Sequence, residues 1–145
     1  MIIDSGKRKM DGAMKRQRIT GVLATGVGEA TGFTSLDWAR RAFLDRLGID
    51  VHPGTVNMIL TTDRDKDAWR SVKSWPGIVL PPPRPDWCNS RCYLARINDR
   101  IDAAIVLPEI PTYPENQIEL IASVGVRVTL GLKDGDRLVI DVSSA

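Results

Sequence analysis

Six runs of apolar and β-branched residues, each five to nine residues long, constrain this chain more than any other feature. They occupy residues 18–26, 55–60, 92–97, 101–107, 118–122 and 138–142, and polar or turn-forming stretches separate them. Runs of that length suit strands rather than helices. A single segment, residues 36–47, has helical periodicity: Leu36, Ala39, Phe43 and Leu47 fall on one face, with Arg40, Arg41, Asp45 and Arg46 largely off it. Ser35 is placed to cap its start, Asp37 suits the first turn, and Gly48 suits its end. Strands and helices do not alternate, so a doubly wound fold is excluded. The expected class is mainly β (α+β), a small six-stranded barrel with one main helix.

The connecting stretches refine this picture. His52-Pro53-Gly54 is a turn, and Asn98-Asp99-Arg100 is expected to join two runs as a hairpin. Residues 61–74 are polar, with Trp69 and Val72 as their only large apolar anchors. Residues 75–90 carry Pro76, Pro81, Pro82, Pro83 and Pro85, a density that excludes a helix or a central strand and predicts a long extended loop. Residues 124–132 are ambiguous: their β-branched residues favour a strand, yet the segment runs into a Lys-Asp-Gly-Asp turn.

A chain of 145 residues is expected to form one domain. Residues 1–17 read as a basic, solvated leader and residues 18–145 as the folded domain. Residues 1–18 carry a net charge of +4 and the remainder −2. A basic tail can attract nucleic acid or an anionic surface by counterion release, but the acidic body makes no electrostatic case for nucleic-acid binding. No run approaches the roughly 18 apolar residues of a membrane helix, and no secretory signal stands at the N-terminus. A cytoplasmic protein without a membrane partner is expected, with a monomer the favoured state although no residue sets it.

Few residues can carry chemistry. His52 is the only histidine, and Cys88 and Cys92 have a C-x3-C spacing that matches no standard zinc pattern. A solvent-facing histidine and reduced thiols are the plainer reading. No G-x-S-x-G surrounds any serine. Residues 26–32, Gly-Val-Gly-Glu-Ala-Thr-Gly, follow a strand and precede the helix. Glycines there let backbone N–H groups turn toward an anion, although a plain strand-to-helix turn would look the same. Thr55 and Asn57, two apart on a strand, present neutral oxygens on one side. A hard cation such as Mg²⁺ accepts such ligands when phosphates supply the rest. The alternative is a polar strand face making cross-strand hydrogen bonds.

Taken together and in order, several segments resemble the archaeal-type CTP-dependent riboflavin kinases. They are Thr25-Gly26-Val27-Gly28-Glu29, Leu47-Gly48-Ile49, Pro53-Gly54-Thr55-Val56-Asn57, the stretches 97–98 and 101–109, Tyr113-Pro114-Glu115, residues 118–122, and Leu132-Lys133-Asp134-Gly135-Asp136. The resemblance runs from about residue 19 to 142. It implies a cradle-loop β-barrel that transfers the γ-phosphate of CTP to the ribityl 5′-hydroxyl of riboflavin, giving FMN and CDP. Under it, Gly26, Val27, Gly28, Glu29, Ala30 and Thr31 line the CTP phosphates. Val124, Gly125, Val126 and Arg127 form a second nucleotide-binding segment. Thr55 and Asn57 hold Mg²⁺, and Glu119 contacts the flavin and is a candidate general base. Family members usually have glycine then arginine where Ala30-Thr31 stands, and a flavin-contacting threonine where Pro111 stands, with Thr112 one residue away. These departures keep open an alternative, a non-catalytic flavin- or nucleotide-binding module of the same fold. Trp75 and Trp87 either stack on a flavin from a lid or anchor a long loop to the core.

Overall fold

The computed structural model describes residues 15–25, 37–80 and 89–144. In chain order the elements are β1 (Arg16–Ala24), α1 (Asp37–Leu47), β2 (Val56–Ile59), α2 (Asp63–Lys73), β3 (Ile78–Leu80), β4 (Ser90–Ile97), β5 (Ile101–Pro108), β6 (Gln117–Ala122), α3 (Val126–Leu130) and β7 (Arg137–Ser143). Strands β4, β5, β6, β2, β1 and β7 form a ring that closes where β7 pairs with β4, every pairing antiparallel. Closure leaves no free edge within the ring, which removes the usual template for aggregation. The barrel expected from the six runs is therefore present, and all six runs are strands of it.

Closure depends on how β4 divides one edge between two partners. Its first half pairs with β3, from Ile78 opposite Cys92 to Leu80 opposite Ser90. Its second half pairs with β7, from Leu94 opposite Ser143 to Ile97 opposite Ile140. The barrel interior is built from alternate residues, including Ile19, Met58, Ile97, Ile105, Ile118, Leu120, Leu138 and Ile140. Gly21 lies where β1 crosses β2 closely. A Cβ there would meet Met58 Cγ at 2.6 Å and the Ile59 carbonyl oxygen at 2.7 Å, so no larger residue fits without a shift.

A second apolar layer lies outside the barrel. Ala39 and Phe43 of α1 pack in one cluster with Cys92, Ala104, Val106 and Ile121, joined by Leu80, Ile49 and Val51. Helix α1 ends as expected at Gly48, which takes φ 73° and donates its N–H to the Leu44 carbonyl at 3.0 Å. The hairpin between β4 and β5 is also as expected. Asn98 and Asp99, the central residues of a turn closed by the Arg100 N–H on the Ile97 carbonyl at 2.9 Å, have φ of 48° and 58°, the positive values of a primed turn, and Arg100 completes the three-residue connection. Asn98 ties that turn to β7: its Oδ1 accepts the Val139 N–H at 2.9 Å, and its own N–H reaches the Val139 carbonyl at 2.8 Å.

Two features correct the sequence reading, and a third resolves a stretch that it left open between strand and helix. The polar stretch 61–74 contains a second full helix, α2, so the barrel has two main helices rather than one. Thr62 caps it by accepting the Asp65 N–H at 3.1 Å; Asp65, Trp69 and Val72 are buried and Ala68 is half-buried, so its apolar inward stripe is narrow. That narrow stripe covers one region of the barrel, where Trp69 meets Tyr93 edge to face with centroids 6.2 Å apart. The stretch 75–90 is not all loop. Its residues Ile78–Leu80 form β3, a short strand outside the barrel ring, a position the proline rule leaves open. Trp75 is buried in the barrel core, so it anchors this segment, while Trp87 and Cys88 lie outside the described residues. The ambiguous stretch 124–132 forms a short helix, α3, that closes on Gly131 in the left-handed region at φ 66°.

Candidate functional site

Strand register builds the first half of the site. Ala24, Asn57 and Glu119 are opposed in a row across β1, β2 and β6. Their neighbours Leu23, Met58 and Ile118 form the adjacent row and are buried. Since successive residues of a strand alternate faces, the Asn57 and Glu119 side chains project away from the interior row. Asn57 is nevertheless only 8% exposed, so its amide must be satisfied by protein or ligand rather than by bulk water. Gln117, two residues before Glu119 on the same face of β6, donates from Nε2 to Asn57 Oδ1 at 3.1 Å. Thr55 stands just ahead of β2, half-buried and two residues from Asn57.

Glu119 is half-buried and receives the Tyr113 hydroxyl on Oε1 at 2.8 Å. Burial pushes the Tyr113 hydroxyl well above its ordinary range, and the neighbouring Glu119 charge pushes the same way. Tyr113 therefore stays a protonated donor, and one carboxylate oxygen is held in place by it. Pro111 and Thr112 are both exposed, in a tight turn closed by the Tyr113 N–H reaching the Ile110 carbonyl at 3.3 Å. Tyr113 thus links the turn carrying Pro111 and Thr112 to Glu119.

The second half of the site gathers at the end of β1. The Lys133-Asp134-Gly135-Asp136 turn lies across that end: Gly135 donates its N–H to the Leu23 carbonyl, and Leu23 donates to the Asp136 carbonyl, both at 2.8 Å. The Asp134 carboxylate accepts from the Thr25 hydroxyl and from Arg127 Nη2, the latter at 2.6 Å. The Thr25 hydrogen bond, then the Arg127 one, hold its carboxyl below the usual aspartate range. Arg127 Nη2 also reaches the Ala24 carbonyl at 3.3 Å. Ala24 is therefore shared: one row joins it to Asn57 and Glu119, and its carbonyl joins it to Arg127.

Other expected site residues fall as follows. Gly125 starts α3, with the exposed His52 against it; a Cβ at Gly125 would sit 3.4 Å from His52 Nε2. Val124 is exposed. The Val126 side chain is buried in the barrel core, so only its backbone is open to a ligand. Gly26, Val27, Gly28, Glu29, Ala30 and Thr31 lie outside the described residues. Among the described residues no three His, Cys, Asp or Glu side chains cluster as metal ligands. Cys92 is buried beneath α1, and burial pushes its thiol up to about 12. Tyr113, Gln117 and Asp134 were not singled out as site residues from sequence. Tyr113 and Asp134 stood inside segments that carry the resemblance, and Gln117 shares the strand alternation of Glu119, but their partners are 6 to 109 positions away in sequence.

Comparison with known proteins adds an independent line. A family model named CTP-dep_RFKase, described as "Domain of unknown function DUF120", matches residues 23–142. A riboflavin kinase of Pyrobaculum islandicum is 35% identical over 133 residues, covering 86% of this chain and 60% of its own length. A riboflavin kinase of Methanocella arvoryzae is 37% identical over 120 residues, covering 81% of this chain and 53% of its own length. A riboflavin kinase of Saccharolobus solfataricus is 30% identical over 127 residues, with 86% and 73% covered. The chain thus spans little more than half the length of the first two relatives.

Proposed function

The chain belongs to the CTP-dependent riboflavin kinase family, and on that footing we propose that it transfers the γ-phosphate of CTP to the 5′-hydroxyl of riboflavin, yielding FMN and CDP. The observation that carries the reading is the convergence at Ala24 of the Asn57–Glu119 row and the Arg127–Asp134 pair. The row that carries the flavin-side carboxylate then runs, two strands over, to the strand end that the phosphate-side guanidinium touches. Phosphoryl transfer asks mainly for positioning and charge neutralisation, and this residue set suits that demand.

Each residue has a role in this proposal. Gly26, Val27, Gly28, Glu29, Ala30 and Thr31 line the phosphates, and Val124, Gly125, Val126 and Arg127 form a second nucleotide-binding segment. Arg127 neutralises phosphate charge. Glu119 keeps Oε2 for riboflavin, because Tyr113 occupies Oε1. It is also the candidate general base, being the carboxylate in the row beside Asn57. Pro111 and Thr112 border the flavin from the exposed turn.

The residues present suit a hard cation. Thr55 and Asn57 offer neutral oxygens, and Gln117 directs the Asn57 amide so that its oxygen is defined and retains a second lone pair. Bound there, Mg²⁺ would neutralise phosphate charge. Among the described residues no helix is long and apolar enough to cross a membrane. The cytoplasm, which holds nucleoside triphosphates, is the proposed compartment.

The test is direct. Protein is incubated with riboflavin, Mg²⁺ and either CTP or ATP, and FMN is measured by chromatography. FMN with CTP alone supports the proposal in full. FMN with both nucleotides retains the kinase and removes the donor preference. Pro111, which offers neither a hydroxyl nor an N–H at the flavin edge, favours a second reading, a non-catalytic flavin- or nucleotide-binding module. Absence of FMN from folded protein that still binds flavin selects that reading.

A further inference from the structure

Asp134 makes two side-chain contacts that the folding of its own turn does not require. The turn at residues 133–136 is already closed by the Asp136 N–H on the Lys133 carbonyl at 3.0 Å and the Lys133 N–H on Asp136 Oδ2 at 2.8 Å. It is already fastened to β1 by the two backbone hydrogen bonds with Leu23. Helix α3 is seated by Val126 in the core and closed by Gly131. What the Asp134 carboxylate adds is a bridge between two separate segments, through Thr25 at the end of β1 and Arg127 on α3. Both contacts on Arg127 use Nη2, with Asp134 Oδ1 at 2.6 Å and the Ala24 carbonyl at 3.3 Å. Among the described residues, its Nε and Nη1 carry no hydrogen bond.

We propose that Asp134 is a positioning residue for nucleotide binding that acts through Arg127; the inference rests on the riboflavin kinase reading above. The carboxylate fixes one amino group of the guanidinium against the end of β1 and leaves the other N–H groups for phosphate oxygens. A long side chain that is ordered before the ligand arrives loses less freedom on binding. A carboxylate beside a phosphate site also carries a cost, since it repels the incoming anion and offsets part of the arginine charge. These two effects predict opposite signs when Asp134 is removed, so experiment separates them.

The assay is a double-mutant cycle on Asp134→Ala and Arg127→Ala, read as CTP affinity and riboflavin affinity by calorimetry on the full chain. If Asp134 positions Arg127, Asp134→Ala weakens CTP binding about fivefold, as expected for roughly 1 kcal/mol. It leaves riboflavin affinity within about twofold, and it costs nothing further once Arg127 is alanine. Asp134→Asn keeps an acceptor oxygen and recovers part of the loss. Tighter CTP binding by Asp134→Ala overturns the proposal in favour of simple repulsion. Additive penalties, or an equal loss of both ligands, overturn it in favour of a general structural role. If the unsubstituted chain binds no CTP, the kinase reading and this inference fall together; in the other cases the kinase reading stands.

Discussion

Removing the Asp65 carboxylate tests how α2 is joined to the barrel. Strand β2 ends at Ile59 opposite Val22, so Thr20, two residues earlier on β1, has no β2 partner. Asp65 supplies the missing acceptor: its Oδ1 takes the Thr20 N–H at 2.9 Å and its Oδ2 takes the Thr62 hydroxyl at 2.6 Å. The same Thr62 hydroxyl oxygen caps the helix through the Asp65 N–H. Arg64 lies 3.5 Å away with its side chain 75% exposed, so it adds little. The residue is 5% exposed, and Asp65→Ala therefore strands a backbone N–H away from water. Hydrogen bonds to a charged group are worth about 1.5–3 kcal/mol each, and relief of the carboxylate's own desolvation returns part of that. A net loss of about 3 kcal/mol follows. At about 2–4 °C per kcal/mol for a chain near this size, the melting temperature should fall by about 6–12 °C. Asp65→Asn keeps one acceptor and should fall by less than half as much. Thermal unfolding followed by circular dichroism at pH 7 gives both numbers. A fall below about 2 °C for the alanine variant, or equal falls for both, would refute the assignment of the lost stability to these two bonds.

Three further outcomes are expected. Replacing Thr55 and Asn57 together by alanine should abolish Mg²⁺-dependent FMN formation while circular dichroism shows the strands intact; undiminished turnover removes the metal assignment. Tyr113→Phe should weaken riboflavin binding about fivefold to tenfold by freeing the Glu119 carboxylate, and Glu119→Gln should weaken it at least as much, measured by flavin fluorescence quenching; unchanged affinity in both takes Glu119 out of the site. The Asp134 carboxyl, held low by Thr25 and Arg127, should titrate with a midpoint below the ordinary 3.8 in its carbon NMR shift. Its contribution to stability is then present in full above that ordinary value and is lost as pH falls through the lowered one. A midpoint at or above 3.8 contradicts the bridge.

Local pattern carried much of this molecule. The six strands were legible because alternation or short β-branched runs survive in any context where one face is buried. Helix α1 was legible because its apolar stripe, Ala39 to Leu47, and its terminal Gly48 are encoded within a dozen residues. The paired positions Thr55 and Asn57 could be named because strand period alone sets them on one side. Helix α2 was not legible, since Trp69 and Val72 make a stripe too narrow to distinguish from a polar loop until the barrel offers them a surface. Strand β3 was hidden for a similar reason: three residues beside prolines become a strand only because the first half of β4 has an unpaired edge.

Closure and the site were decided by tertiary structure. The pairing of β4 with β7 joins residues more than forty positions apart, and no local signal specifies it. The row Ala24–Asn57–Glu119 depends on two registers at once, and a one-residue slip in either would turn a polar side chain toward the core. The bridge from Thr25 to Asp134 to Arg127 spans 109 positions and exists only because the closed ring returns the chain to the end of β1. The sequence by itself determined which segments are strands, where α1 stops and which residues have oxygens or charge to offer. The tertiary structure decided which of those residues meet, because periodicity acts over a few neighbours whereas register and ring closure bring together residues that are distant along the chain.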